Sequence, residues 1–326
     1  MASGRLLRQL IKSGVEGDSR AFRLLSEEVI KEEREKQHHL LAGDLEKILY
    51  GAPAPIEATK HSLAALPSDK DRGSTLLSVK QPTRDLSDAV LSEENRGVLL
   101  QLLLEHRKAG VLRAHGLRPA DRVLFIGPPG CGKSLSAEIV ATELDRYLAV
   151  VRLDSVVSSF LGETAANLRK IFDYVSSEPL VVLFDEFDAI SKERAAEDEH
   201  GELKRVVNTA LQLFDDYRGK SILIAATNHE AMLDSAVWRR FDEVLEFRMP
   251  SAAEVVEVLG MKLRGVRRDF EVDDPSLTGL FKDYSFAGIE RVVRHAIKSM
   301  VLDGREFLTN ADILRACERE SQRLNL

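Results

Sequence analysis

The chain has 326 residues, with 46 Lys and Arg against 53 Asp and Glu for a formal net charge of −7; that length suggests about two domains and a core holding roughly three-quarters of the unfolded surface. The basic residues are spread along the chain instead of gathered in a stripe, which argues against a nucleic-acid partner. No apolar run approaches the roughly 20 residues of a membrane span, the N-terminus lacks the apolar core of a signal peptide, and Cys131 and Cys317 form no metal-ligand pattern, so no membrane and a cytoplasmic, reducing location are expected.

Residues 4–13 and 18–49 place apolar and charged positions at helical spacing, with Asp18 as a plausible N-cap and Gly51 and Pro53 after the second run, so residues 1–50 are predicted to form a helical hairpin. The run KEEREK at 31–36 followed by His38 and His39 reads as a solvated face, because adjacent histidines point about 100° apart on a helix. Residues 51–85, with Pro53, Pro55, Pro67 and Pro82 and no sustained period, read as a linker. Ser92 then caps a strongly apolar helix over 92–109.

From there strand and helix alternate. Strands are expected at 122–126, 148–153, 180–184, 221–226 and 243–248, as short, nearly continuous apolar runs separated by helical segments, which is the pattern of a parallel sheet covered on both faces. After Pro250 the strands stop, and helices are expected over 251–264, 276–282, 286–302 and 310–323.

The first strand runs into GPPGCGKS, residues 127–134, and Leu135 opens the helical run after it. Strand, glycine-rich turn and helix in that order are what a phosphate-binding loop requires. Gly127, Gly130 and Gly132 can take backbone angles that crowd other residues, so in the loop of Gly127, Pro128, Pro129, Gly130, Cys131 and Gly132 the N–H groups of the residues other than the two prolines can turn inward on an anion at a helix N-terminus. Lys133 would reach the β- and γ-phosphates of ATP, and Ser134 would set its hydroxyl on a Mg²⁺ ion. Cys131 needs only to be small there.

The third strand ends in LVVLFDEFDAI, residues 180–190. Carboxylates at the C-terminal end of a buried parallel strand lie where ligands bind in such sheets; Asp185 would complete the Mg²⁺ shell and Glu186 would orient the attacking water. The next strand ends in AATN, where the Asn228 amide can bond both the γ-phosphate and the lytic water. DSAVWRRFD, residues 234–242, holds Arg239 and Arg240, which the residues alone leave open between ordinary surface charge and arginine fingers acting on a neighbouring subunit's phosphate.

Taken together and in this order, GPPGCGKS, VVLFDEFDAI, AATN and LDSAVWRRFD resemble the AAA family of P-loop ATPases within the wider AAA+ group, over about residues 86–326. The resemblance implies a five-stranded parallel sheet in the order 5-1-4-3-2, an α/β ATPase domain over 86–249, a helical lid over 250–326, and a homo-oligomeric ring, typically a hexamer, with ATP and Mg²⁺ at each subunit junction. It implies a Walker A at 127–134, a Walker B at 181–186 and a sensor 1 at Asn228. SSFLGETAANLRKIF is similar to the family's substrate-gripping pore loop, so Phe160, Leu161 and Gly162 are expected to face a central pore, with residues 195–201 as a second pore loop by position. The chain departs from the family in its adjacent arginines, which most members separate by Pro-Gly, and in having Ala287 and Gly288 where many AAA+ proteins carry a sensor 2 arginine. EEREKQHHLLAGDLEKIL and AVWRRFDEVLEF are similar to stand-alone bacterial AAA ATPases paired with a subtilisin-like serine protease in plasmid-incompatibility and phage-defence modules. The expected function is an ATP-hydrolysing ring that remodels, unfolds or threads protein substrates, with residues 1–50 recruiting a substrate or a partner protease; the alternative is a nucleotide-gated ATPase that switches a partner enzyme without threading.

Overall fold

The computed structural model describes residues 4–15, 19–35, 45, 64–69, 73–151, 156, 161–187, 209–229 and 238–324. They fall into two units, residues 1–63 and 64–326.

In the first unit, α1 (Gly4–Val15) packs against α2 (Ser19–Glu35). Val29 and Ile30 are buried, while Ile11, Val15 and Leu24 stay largely exposed. Most of the second half of the expected long helix, after residue 35, lies outside the described residues.

The second unit is built on a sheet of six strands: β1 (Leu77–Lys80), β2 (Arg122–Ile126), β3 (Leu148–Val151), β4 (Val181–Phe184), β5 (Ile222–Thr227) and β6 (Glu243–Glu246). Their order across the sheet is β1-β3-β4-β5-β2-β6. The pairs from β3 to β6 are parallel, whereas β1 runs antiparallel to β3 with Leu77 opposite Val151. The expectation of a five-stranded, wholly parallel sheet is therefore corrected: the sheet is mixed and has a sixth strand, inside the stretch read as a linker. Four residues bounded by Gly73 and Pro82 are too short to show a strand period. Tertiary pairing makes the strand, because it covers β3, which would otherwise offer a bare edge of N–H and C=O groups.

Every residue of β4 and β5 is buried, which explains why those runs read as apolar without alternation. On one face α3 (Glu93–Arg107), capped by Ser92 Oγ on the Asn95 N–H, buries Leu99, Leu102 and Leu103; α4 (Ala109–Ala114) follows it, and α5 (Lys133–Glu143) adds Ala137, Val140 and Ala141. On the opposite face α6 (Leu161–Ser177) and the helical stretch 209–216 contribute an aromatic cluster. There Phe214 meets Phe184, Phe187 and Phe241 at ring-centroid distances of 5.1, 5.5 and 5.6 Å. Phe187 directly follows Glu186 and Phe241 directly follows Arg240, so one cluster anchors both polar segments.

The strands give way to α7 (Ala252–Lys262), α8 (Pro275–Gly279), α9 (Phe286–Leu302) and α10 (Asn310–Leu324). A capping box between Ser251 and Glu254 starts α7, and Ser285 caps α9. Leu259, Phe281, Ile289, Val292, Leu308 and Ile313 fill a core of their own. Among the described residues no helix is long and apolar enough to cross a membrane.

Candidate nucleotide site

The loop 127–134 is shaped by contacts that require glycine. Gly127 has φ 132°, and a Cβ on it would lie 1.9 Å from the Phe247 carbonyl oxygen, because the chain leaving β6 crosses here and its Phe247 N–H donates to Ile126 O at 2.7 Å. Gly130 has φ 76° and sits against Ser285 and Ala287; the Ala287 N–H donates to Gly130 O at 3.0 Å, joining the loop to the start of α9. The position read as lacking a sensor 2 arginine therefore touches the loop through its backbone.

Lys133 is buried, and its ammonium donates to Gly127 O at 2.6 Å, Pro128 O at 2.9 Å and Asn228 Oδ1 at 2.8 Å. Ser134 Oγ donates to Asp185 Oδ2 at 3.0 Å, and Asp185 Oδ1 accepts the Glu186 N–H at 3.0 Å. Glu186 has φ 51°, a left-handed conformation that costs a non-glycine residue energy and is held here by the Phe187 N–H donating to Ala226 O at 2.8 Å. Burial pushes the Cys131 thiol above its ordinary value against the pull of the Lys133 ammonium, and its sulfur lies 3.8 Å from that of Met249, the setting of a packed, protonated thiol.

A cleft of about 460 Å³ gathers these groups. Pro129, Gly130, Cys131, Gly132, Lys133, Ser134 and Leu135 form one wall, and Asp185, Glu186 and Asn228 close one end. Val90, Leu91, Val258, Met261 and Phe286 give the cleft an apolar stretch of the kind that suits a flat base. The sequence did not point to Val90 and Leu91 as site residues, since an apolar pair before a helix cap carries no signal of what it faces.

For a divalent cation the fit rests on Ser134 and Asp185, a hydroxyl and a carboxylate already in contact, which are hard oxygen donors of the kind Mg²⁺ takes. Among the described residues there is no cluster of three or more His, Cys, Asp or Glu that could hold a metal alone.

Arg239 and Arg240 do not line the cleft. Arg240 Nε binds Asp215 Oδ2 at 2.7 Å within the same chain. Arg239 is exposed and has no ion-pair partner among the described residues. Asp242 holds the segment down: its carboxylate accepts from Arg122 Nη2 at 2.7 Å and from the backbone N–H of Arg122 at 3.0 Å and of Asp121 at 3.2 Å. Asp215 was not legible as a partner, being 25 residues from Arg240. Phe160 and residues 195–201 lie outside the described residues; Leu161 and Gly162 open α6.

Residues 123–249 match a family model described as "ATPase family associated with various cellular activities (AAA)". An "Uncharacterized AAA family ATPase y4kL" of Sinorhizobium fredii is 42% identical across 99% of this chain and 97% of its own length. A "Proteasome-activating nucleotidase" of Aeropyrum pernix is 32% identical over 70% of this chain and 58% of its own. "Proteasome-activating nucleotidase 2" of Haloferax volcanii is 35% identical over 63% and 52%. The chain thus spans a little over half the length of these two nucleotidases.

Proposed function

The chain belongs to the AAA family and is an ATPase, and from that premise we propose that it works as a ring of identical subunits, a hexamer, that spends ATP on remodelling protein substrates. The observation that carries this reading is the convergence of Lys133, Ser134, Asp185, Glu186 and Asn228 on one cleft.

In the proposed cycle, the base of ATP sits against Val90, Met261 and Phe286 and its phosphates against the loop N–H groups. The Lys133 ammonium gives up its loop carbonyls for the β- and γ-phosphates. Ser134 and Asp185 hold Mg²⁺, which when bound neutralises phosphate charge. Glu186 accepts a hydrogen bond from the attacking water and orients it, and Asn228 bonds both that water and the γ-phosphate, so that departure of the phosphate is felt at the end of β5. The helices after Pro250 act as a lid, and the bond from Ala287 to Gly130 supports their following the state of the loop.

Arg239 is assigned as the trans-acting finger, since Arg240 is engaged by Asp215 of its own subunit. Phe160 and Leu161 grip the polypeptide, and residues 1–50 recruit it or a partner, for which the sequence resemblance suggests a subtilisin-like serine protease. The names of the two proteasome-activating nucleotidases support work alongside a proteolytic machine.

The test is ATP-dependent unfolding of a fluorescent folded domain carrying an unstructured tail, with the full chain and with Phe160→Ala. Loss of fluorescence with wild type and its abolition in Phe160→Ala, at retained ATP turnover, is the expected result. Brisk ATP turnover with no unfolding, while a partner enzyme is still activated, would replace this reading with the nucleotide-gated switch.

A further inference from the structure

The C-terminal ends of the central strands carry the nucleotide cleft; their N-terminal ends carry a second, oppositely charged feature. Asp121 leads into β2, Arg146 into β3, Pro179 into β4 and Lys220 into β5. With the turn after α4 these segments line a cavity of about 720 Å³. An adjoining cavity of about 520 Å³ shares Arg118, Pro119, Asp121 and Arg218 with it, so the two form one elongated groove.

Its wall carries Arg113, Arg118, Arg146, Arg218 and Lys220. Several arginines elsewhere in this unit are tied to carboxylates, as in Arg107 with Glu143 at 2.9 Å and Arg305 with Asp312 at 2.7 Å. None of these five has a carboxylate within ion-pair distance among the described residues. Arg146 is half-buried, its guanidinium reaches only the Lys220 carbonyl at 3.3 Å, and burial disfavours its charge. A desolvated cation with no counter-charge is a cost that an anionic partner removes. Asp121 is the single acid in the larger cavity, while the narrower end brings in Glu105 and Asp242.

Two observations select the kind of anion. The cations come from three separate segments along a groove, residues 113–118, 146 and 218–220, which suits an extended ligand better than a compact ion. Among the described residues, those lining the larger cavity include no Phe, Tyr or Trp on which bases could stack. Leu117, Pro119 and Pro179 offer apolar wall for a peptide's side chains.

We propose that this groove is a docking site for an acidic polypeptide segment of a partner protein, whose carboxylates pair with Arg113, Arg118, Arg146, Arg218 and Lys220. The site is remote from the cleft and independent of the roles assigned there. Arg–carboxylate forks would give the contact direction, and exposure at the rim makes it salt-sensitive.

The test is fluorescence anisotropy of a labelled peptide of six Glu-Gly repeats with the full chain. An oligothymidylate and a six-repeat Lys-Gly peptide run in parallel. The expected result is salt-sensitive binding of the acidic peptide, weakened at least tenfold in Arg118→Glu/Lys220→Glu, two exposed positions whose change leaves ATP turnover as in wild type. Arg146→Ala, checked for folding by its melting curve, should weaken it similarly, with Arg146→Lys recovering part of the loss. Equal binding by the charge-reversed variant, or tighter binding of the oligothymidylate than of the acidic peptide, would overturn the proposal.

Discussion

The Lys133 ammonium lies 2.8 Å from Asn228 Oδ1, so the phosphate loop and the end of β5 are bonded directly across the cleft. The contact is made by the two groups expected to share a γ-phosphate, and it ties the loop to the strand whose tip would sense that phosphate. Replacing Asn228 with Ala should leave ATP affinity within about threefold while lowering kcat by about 100-fold, the usual effect of removing one preorganised donor. Separate measurement of nucleotide binding and turnover checks this, and a loss carried wholly by affinity would contradict it.

Glu186 owes its position to a left-handed backbone at φ 51° and to Phe187 buried among Phe214 and Phe241. Glu186→Gln keeps the shape and removes the charge. Turnover should fall by about 10²–10⁴-fold with ATP still retained. Near-normal steady-state hydrolysis in that variant would remove Glu186 from its role.

The two arginines should separate in experiment. Arg240→Ala breaks a part-exposed pair with Asp215 and should cost no more than about 1 kcal/mol in stability. Arg239→Ala should leave the melting temperature unchanged yet lower turnover by about 10³-fold, as loss of a finger does. Mixing Arg239→Ala subunits with wild type should poison neighbours whose own loops are intact. If only Arg240→Ala poisons, the assignment is reversed.

Gly127→Ala tests the crossing above the loop. Its Cβ would fall 1.9 Å from the Phe247 oxygen at a φ of 132°, so strain and overpacking should together cost about 3 kcal/mol or more. Urea denaturation reads this out; a midpoint equal to wild type would show that the chain after β6 can step aside freely.

Asp121 gives a pH dependence of stability. Burial, then the nearby Asp242 carboxylate, push its carboxyl up to about 6, with Arg122 opposing. Its folded-state pKa is thus above the unfolded value, so the native state binds the extra proton between about pH 4 and pH 6 and loses stability as pH rises through that window. Asp121→Asn should therefore be more stable than wild type at pH 7.5, on the order of 1–2 kcal/mol, with the advantage gone near pH 4. Melting curves across that range check it, and a pH-independent difference would not fit.

Much of the candidate site was legible because its chemistry is local. The loop 127–134 needs its glycines in a fixed order, and the acid pair 185–186 and Asn228 each sit at the end of an apolar strand. Those apolar runs also located β2 to β6 within a few residues. The antiparallel β1 was invisible, because four residues between turn formers have no pattern of their own and become a strand only by pairing with β3.

What the sequence determined by itself was the set of groups: a phosphate loop, two carboxylates, an amide and a pair of arginines, since backbone conformation and side-chain chemistry are carried by neighbouring residues. Which groups meet was decided by the tertiary structure. Only packing brings Asp215 onto Arg240 and leaves Arg239 exposed, sets Ala287 on Gly130, and gathers five cations from three segments near the N-terminal ends of the strands, because electrostatic pairing depends on distance in space and the chain encodes those distances only through its whole fold.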